Sequence, residues 1–230
     1  SFPTRRSSDL MQALNTALEL DPDPELFLEK IHGLWKDNKY LQAEKTARKG
    51  LSVFPRHPSL TLALIRTLLA QDKDDQAMDL VHTILDRHPR DWSLRVRLGR
   101  TLLQERLPSQ ALSVLQAIPE KVRTANTHYF LAQANEAMDN RRRTIHHLEQ
   151  ATRLNPTFHK AWAELGYQYE LSRDFVAAKK AYSTLLDLGE TSPDILLRLI
   201  ELNLKLNDPN QALQVLTSRI SQPEFVLSGI

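Results

Sequence analysis

The sequence contains no cysteine and only six glycines among its 230 residues. Without cysteine, disulfide bonds, thiolate metal sites and cysteine nucleophiles are excluded. No stretch approaches the roughly 18 apolar residues that a transmembrane helix requires, so we expect no membrane insertion by this segment. Lysine and arginine number 30 against 28 aspartates and glutamates, which gives a formal net charge of +2. This balance argues against nucleic acid or an anionic membrane as the main partner.

The usual catalytic motifs are also missing. The sequence has no glycine-rich phosphate loop, no H-E-x-x-H and no G-x-S-x-G. His146 and His147 are adjacent, and adjacent side chains on a helix point about 100° apart, which suits surface or packing histidines better than shared metal ligation. Residues 141–143, all arginine, are predicted to form a solvated turn, with a phosphate or nucleic-acid contact as the alternative. We therefore expect no enzymatic activity, no metal and no cofactor.

The first ten residues look foreign to the rest of the chain. Residues 1–10, Ser-Phe-Pro-Thr-Arg-Arg-Ser-Ser-Asp-Leu, match the translation of a common sequencing adaptor. We expect this segment to be an artefact rather than native sequence, and the chain to be a fragment whose true N-terminus is missing. The alternative is a polar, disordered N-terminus. We expect a cytoplasmic location, with a periplasmic or membrane-anchored protein as alternatives because an upstream signal would be lost.

A repeated pattern of small and aromatic residues runs through the remaining chain. It is clearest in Trp162-Ala-Glu-Leu165-Gly166-Tyr-Gln-Tyr169 followed by Phe175, Ala178 and Tyr182. These residues resemble the tetratricopeptide repeat, whose pattern W-x-x-L-G-x-x-Y…F…A…Y marks two antiparallel helices of about 34 residues. Alanines recur at one position of the repeat. They are 34 residues apart, except for one interval of 67 residues, which is one residue short of two repeats: Ala43, Ala77, Ala111, Ala178 and Ala212.

The resemblance implies an all-α fold, a right-handed α-α superhelix or solenoid of helix-turn-helix repeats. It assigns residues 11–222 to the array and residues 223–230 to the start of a truncated further unit. A partial unit at 11–24 comes first, and the later units are expected at about 25–57, 58–91, 92–124, 125–158, 159–192 and 193–222. The phase slips by one residue near 119–124, and Thr144 replaces the expected alanine.

Each signature position has an expected structural role. Glycine and alanine allow the two helices of a unit to approach closely, and aromatic residues fill the space between neighbouring helices. Ser192-Pro193 and Asp208-Pro209 are expected to cap the start of the following helices. The signature residues are Gly99, Ala111, Trp162, Leu165, Gly166, Tyr169, Phe175, Ala178, Tyr182 and Ala212.

The resemblance also implies a binding groove, because positions 2, 5, 9 and 12 of each first helix line the concave face in this family. Carried over, these positions predict a groove that is apolar and basic in its N-terminal half, then aromatic and acidic. The alternative is ordinary surface variation along a solenoid. The candidate peptide-binding residues are Leu62, Arg66, Leu69, Val96, Arg100, Leu103, Tyr129, Gln133, Glu136, Tyr167, Glu170 and Glu201.

The predicted function is a non-catalytic scaffold that binds a protein or peptide segment in this groove. The acidic part of the bound peptide would lie over Arg66 and Arg100, and the basic part of the peptide would lie over Glu136, Glu170 and Glu201. The lysine and asparagine of a carboxylate clamp are absent at the corresponding positions. Two alternatives stay open: a recruiting arm of a larger glycosyltransferase, sulfotransferase or signalling protein, and a scaffold for envelope assembly or polysaccharide export. Self-association through the truncated ends is a further expectation.

Overall fold

The computed structural model describes the backbone of residues 2–220 and the side chains of residues 10–217. This part of the chain is built from α-helices and one short 3-10 helix at Glu120–Val122, without β-strands. The α-helices are α1 (Phe2–Leu20), α2 (Pro24–Lys36), α3 (Tyr40–Val53), α4 (Pro58–Leu69), α5 (Asp74–Arg87), α6 (Trp92–Gln104), α7 (Pro108–Gln116), α8 (Ala125–Ala137), α9 (Arg141–Leu154), α10 (His159–Leu171), α11 (Phe175–Asp187), α12 (Pro193–Lys205) and α13 (Pro209–Ile220).

The described residues fall into two compact units, with the boundary between residues 114 and 115, inside α7. In the first unit, α2 packs against α3 and α4 against α5, and the first helices α2, α4 and α6 also contact one another in sequence. In the second unit, the pairs are α8 with α9, α10 with α11 and α12 with α13. Each unit is therefore an all-α array of helix pairs, as the repeat pattern predicts.

The turn inside each helix pair has the same backbone geometry throughout. One non-glycine residue in each turn has φ between 56° and 61°, in the left-handed region. The following N–H closes the helix by bonding a carbonyl five residues back, as Lys39 does to Leu34 at 2.8 Å. This is a Schellman motif, which satisfies carbonyls that the helix end leaves free. The left-handed residues recur every 34 residues except for one interval of 33: Asn38, Asp72, Arg106, Asp139, Arg173 and Asn207.

Side-chain caps begin several of the helices. Asp23 accepts a hydrogen bond from the N–H of Glu25 at 2.7 Å, with Pro24 in the first turn of α2. Asp208 accepts from the N–H of Gln211 at 3.2 Å, as expected for an N-cap. Ser192 stands at the N-cap of α12 but its side chain makes no capping bond, so that half of the prediction is wrong. There Pro193 alone presets the helical backbone.

Small residues lie where the two helices of a pair approach most closely. The five alanines of the repeat phase are at most 5% exposed. Gly166 on α10 faces Tyr182 on α11, and a Cβ at Gly166 would lie 2.7 Å from the tyrosine ring. Thr144, which replaces the expected alanine, is also buried. Its hydroxyl donates to the carbonyl of Asn140 at 3.1 Å, so the buried polar group is satisfied.

Large apolar side chains fill the space between helices within each unit. In the first unit, Phe27 and Ile31 of α2 are buried with Leu60 and Ile65 of α4 in one continuous core. In the second, Tyr182 is buried in a core that Trp162, Tyr169 and Phe175 pack against. A single pair of amphipathic helices cannot cover its own apolar face, so stability comes from contacts between neighbouring pairs.

Three regions bear on predictions made from the sequence. Helix α1 extends from Phe2 to Leu20, so no structural boundary separates residues 1–10 from residues 11–20, and the foreign origin of the first ten stays a prediction. Residues 141–143 form the first turn of α9 rather than a loop, because Asn140 caps the helix by accepting from the N–H of Arg143. The predicted truncated unit at 223–230 lies outside the described residues. Within the described part, no helix is long and apolar enough to cross a membrane.

Replacing Gly166 with leucine should destabilise the second unit by about 1–3 kcal/mol, because the new side chain overlaps the Tyr182 ring. Chemical denaturation followed by circular dichroism measures the change. Lys160→Leu is the control, since it adds the same side chain at an exposed position of the same helix. Equal stability of Gly166→Leu and wild type would contradict the close approach.

Replacing Arg106 with glycine should stabilise the first unit by about 0.5–1 kcal/mol, because glycine occupies the left-handed region without steric cost. The added freedom of the unfolded chain offsets part of the gain. Asp79→Gly, at an exposed position in the middle of α5, should instead cost about 1 kcal/mol. Denaturation midpoints of the two variants must therefore move in opposite directions, and a parallel shift would refute the turn assignment.

Candidate functional site

The first helices of the first unit form the walls of an open cleft with a volume of about 360 Å³. Helix α2 contributes His32 and Trp35, and α4 contributes Leu62 and Arg66. Helix α6 completes the lining with Arg97, Arg100, Thr101 and Gln104. These side chains converge because the helices pair through their opposite faces, which leaves this face of α2, α4 and α6 uncovered. The cleft therefore combines an aromatic wall with three arginines.

Trp35 and Arg66 are fixed against each other at the centre of the cleft. The indole Nε1 donates to Thr67 Oγ1 at 2.9 Å, which orients the ring. The Arg66 guanidinium lies 4.5 Å from the ring centroid, within the range of a cation–π interaction. Its Nε donates to Glu105 Oε1 at 3.2 Å, so one edge of the guanidinium is occupied. The remaining N–H groups of Arg66 are left for a ligand, on a side chain that is already positioned.

The other two arginines extend the positive charge along α6. Arg97 donates to the hydroxyl of Ser59 at 3.0 Å, whereas Arg100 is exposed. Burial, together with Arg66 and Lys36, lowers the pKa of His32, so this imidazole is neutral at pH 7. Glu105 is the carboxylate that balances Arg66. The cleft therefore has a net positive charge and suits an anionic group.

The remaining residues predicted for the first half of the groove are less accessible. Leu62 is 8% exposed and lines the floor of the cleft. Leu69 is 6% exposed and belongs to the core of the first unit, and Leu103 packs against that core. Val96 is half-buried. Of these four predicted groove residues, only Leu62 lines the cleft, and Leu69, Val96 and Leu103 lie outside its lining.

In the second unit, α8 and α10 are joined by a partly buried hydrogen bond between Tyr129 and Glu164. The Tyr129 hydroxyl donates to the Glu164 carboxylate and accepts from Gln133 Nε2 at 3.2 Å. Burial raises the pKa of Glu164, and the nearby charge of Glu136 raises it further, against the lowering effect of the hydrogen bond from Tyr129. Tyr129 is 8% exposed, and its ring is tilted by 44° against that of Phe158 with the centroids 4.9 Å apart, so Tyr129 is largely part of the core.

The carboxylates of Glu136 and Glu170 link the first helices of this unit. Glu136 accepts from Gln168 Nε2 at 2.7 Å. Glu170 accepts from the Tyr182 hydroxyl and from Arg198, both at 2.7 Å. Arg198 also lies 5.5 Å from the ring centroid of Tyr167, which is 42% exposed.

Glu201 is exposed on α12, the same helix as Arg198. The face thus carries three carboxylates, of which one is paired with Arg198, and it is therefore acidic. The described residues contain no group of three or more histidine, aspartate or glutamate side chains arranged to hold a metal ion.

The comparison with protein families agrees with this architecture. The tetratricopeptide repeat model matches twice, at residues 34–93 and 75–135. Residues 34–135 are therefore assigned to tetratricopeptide repeats. No curated protein shows significant sequence similarity to this chain.

Solved structures show the same fold at low sequence identity. The C-terminal part of a TPR repeat-containing protein from Cytophaga hutchinsonii aligns with a TM-score of 0.65 and 14% identity, over 98% of this chain and 95% of that one. PilF from Pseudomonas aeruginosa aligns with a TM-score of 0.61 and 17% identity, over 90% and 93%. PilW, a type IV pilus biogenesis factor, gives 0.59 and 14%, over 84% and 90%. These likenesses show the fold, an all-α array of helical repeats.

Several cleft residues were missed by the sequence analysis. Trp35 and His32 were not assigned because the first helix of the 25–57 unit departs from the usual phase, and Arg97 lies outside the four groove positions that were carried over. The missed signal was the spacing of Arg97 and Arg100, three residues apart on one helix face. Glu164 was missed because its role depends on Tyr129, which is 35 residues away.

Replacing Trp35 with phenylalanine should cost more stability than replacing Trp92, by about 1 kcal/mol, because only Trp35 loses a hydrogen bond with a buried hydroxyl. Trp92→Phe is the matched control, since it removes the same ring volume from a partly buried tryptophan of the same unit. Urea denaturation compares the two variants. Equal losses of stability would mean that the Trp35–Thr67 bond does not fix the cleft wall.

Proposed function

We propose that this chain is a non-catalytic scaffold that binds a peptide segment on the exposed face of its first helices. In the first unit, the preferred segment is acidic and carries an apolar side chain. The observation that supports this most directly is the cleft of α2, α4 and α6, where Arg66, Arg97 and Arg100 surround an apolar floor. Such a combination of arginine, tryptophan and leucine is typical of interface hot spots.

The binding mode follows from the charges and the depth of the cleft. Leu62 at the floor accepts an apolar side chain of the ligand, and Trp35 forms the adjoining wall. A carboxylate of the ligand can then reach the free N–H groups of Arg66 and those of Arg100. Because Trp35 and Glu105 already hold Arg66 in place, little side-chain entropy is lost when it binds.

The second unit supports the complementary half of the proposal. Its first helices carry Glu136, Glu170 and Glu201, with Tyr167 as an exposed aromatic side chain. Glu170 is engaged by Arg198, so Glu136 and Glu201 carry most of the available negative charge. We infer that this face prefers a basic segment, recognised independently of the acidic segment in the first unit.

A second candidate is a scaffold within an envelope assembly. The observation behind it is the structural likeness to PilW, which is named as a type IV pilus biogenesis factor. That likeness rests on 14% identity, so the charged cleft supports the first candidate more directly. A recruiting arm of a larger enzyme would use the same cleft.

The double variant Arg66→Glu, Arg100→Glu should weaken binding of acidic peptides about ten-fold or more, because it reverses the charge of the cleft. The probes come from an array of dodecapeptides of graded charge, screened with the full chain. Fluorescence anisotropy of the best acidic peptide then gives the Kd for each variant.

Two controls make this result specific. Arg56→Glu, Arg90→Glu changes the net charge equally at exposed positions outside the cleft and should leave the Kd within about two-fold. Arg100→Glu alone avoids disturbing Trp35 and Glu105, and should reproduce part of the loss. Unchanged binding in the double variant, or an array without preference for acidic peptides, would refute the proposal.

A further inference from the structure

Two histidines from facing helices meet inside the second unit. His128 on α8 and His147 on α9 have their Nδ1 atoms 3.2 Å apart, which is a hydrogen-bond distance. Their ring centroids are 5.4 Å apart. His128 is 4% exposed and His147 is half-buried, so water has little access to the two Nδ1 atoms. The pair therefore forms a polar contact between the two helices of one repeat.

The hydrogen bond sets a limit on the number of protons that the pair can hold. One Nδ1 must donate and the other must accept, so at least one ring has to be neutral with its proton on Nε2. A second added proton places a hydrogen on both Nδ1 atoms. The bond is then lost, and two positive charges face each other at the same short distance.

The surroundings make the doubly protonated pair still less favourable. On α9, Arg143, His146 and Arg153 add positive charge around the two rings, and Arg123 does so from the segment before α8. Glu120 of the 3-10 helix is the carboxylate that acts in the opposite direction. Helix α10, which also packs against α9, carries His159, Lys160 and Glu164 in its first two turns.

Because burial and the neighbouring charges lower both histidine pKa values, the neutral pair is favoured at pH 7. Burial is the largest cause for each ring, and it lowers the pKa of His147 to about 4. In the unfolded chain the pKa of histidine is about 6.5. The neutral contact therefore contributes stability above about pH 6.5 and loses it as the pH falls towards 4.

We propose that the His128–His147 pair is a proton-sensitive contact that opens the α8–α9 helix pair on acidification. Helix α8 also carries Tyr129, Gln133 and Glu136 on the second unit's acidic face. If the proposed function is right, acidification weakens that part of the binding surface. The contact itself does not depend on any ligand.

Hydrogen exchange measured by mass spectrometry on the full chain tests this contact without a ligand. Protection factors, corrected for the pH dependence of chemical exchange, are compared at pH 7.5 and pH 5. The pKa of His147 is about 4 in the folded chain and about 6.5 in the unfolded chain. Because protonation therefore favours the open form, the protection of α8 and α9 should fall about 30-fold between pH 7.5 and pH 5. Helix α6 of the first unit contains no histidine, so it serves as the internal reference and should change little.

The variant His128→Asn, His147→Asn retains hydrogen-bonding groups near both Nδ1 positions but cannot titrate in this range. Its α8–α9 protection should be nearly independent of pH between 7.5 and 5. His82→Asn, which removes an exposed histidine from the first unit, should keep the wild-type response. His147→Asn alone provides a milder substitution should the double variant fold poorly.

Three results would overturn the proposal. The first is an α8–α9 protection in wild type that does not change with pH. The second is an equal fall in the asparagine variants. The third is an increase in protection on adding Zn²⁺ at pH 7.5 that requires both histidines, since it would assign the pair to a metal rather than to a proton.

Discussion

The close approach of two antiparallel helices is the constraint on which the rest of this structure depends. Alanine or glycine occupies the helix crossings, except where Thr144 donates its hydroxyl hydrogen bond to the backbone of its own helix. At Gly166 even a Cβ would overlap the ring of Tyr182. A left-handed turn with a Schellman bond then reverses the chain at nearly constant spacing. Because both features recur together, each repeat presents its first helix in the same orientation within a unit.

This arrangement separates the structural residues from those available for binding. The second helices cover one side of each first helix, and the other side remains open to carry charge. In the first unit that side holds Arg66, Arg97 and Arg100 around Trp35. In the second unit it holds Glu136 and Glu201, together with a Glu170–Arg198 ion pair. The Tyr182 hydroxyl donates to Glu170 and Gln168 donates to Glu136, so these two carboxylates are held in place before any ligand arrives.

The sequence was sufficient to predict the helix pairs, because alanine and glycine at a crossing act locally and recur at a fixed spacing. Arg66 and Arg100 lie in the cleft because the same register places them there. The partner-dependent features could not be predicted in this way. Trp35 joins the cleft only through Thr67 and Arg66, and His128 meets His147 rather than the adjacent His146. Such pairings depend on how helices from different parts of the chain pack, and one sequence does not encode that contact as a pattern.

The exposed side of the first helices, rather than the second helices, is the proposed binding face. Chemical-shift mapping by NMR tests this most directly, with the full chain titrated by its best acidic dodecapeptide. The largest shifts in the first unit should fall on α2, α4 and α6, including the indole N–H of Trp35. Shifts concentrated on α3 and α5, with α2, α4 and α6 unaffected, would contradict this assignment of the binding face.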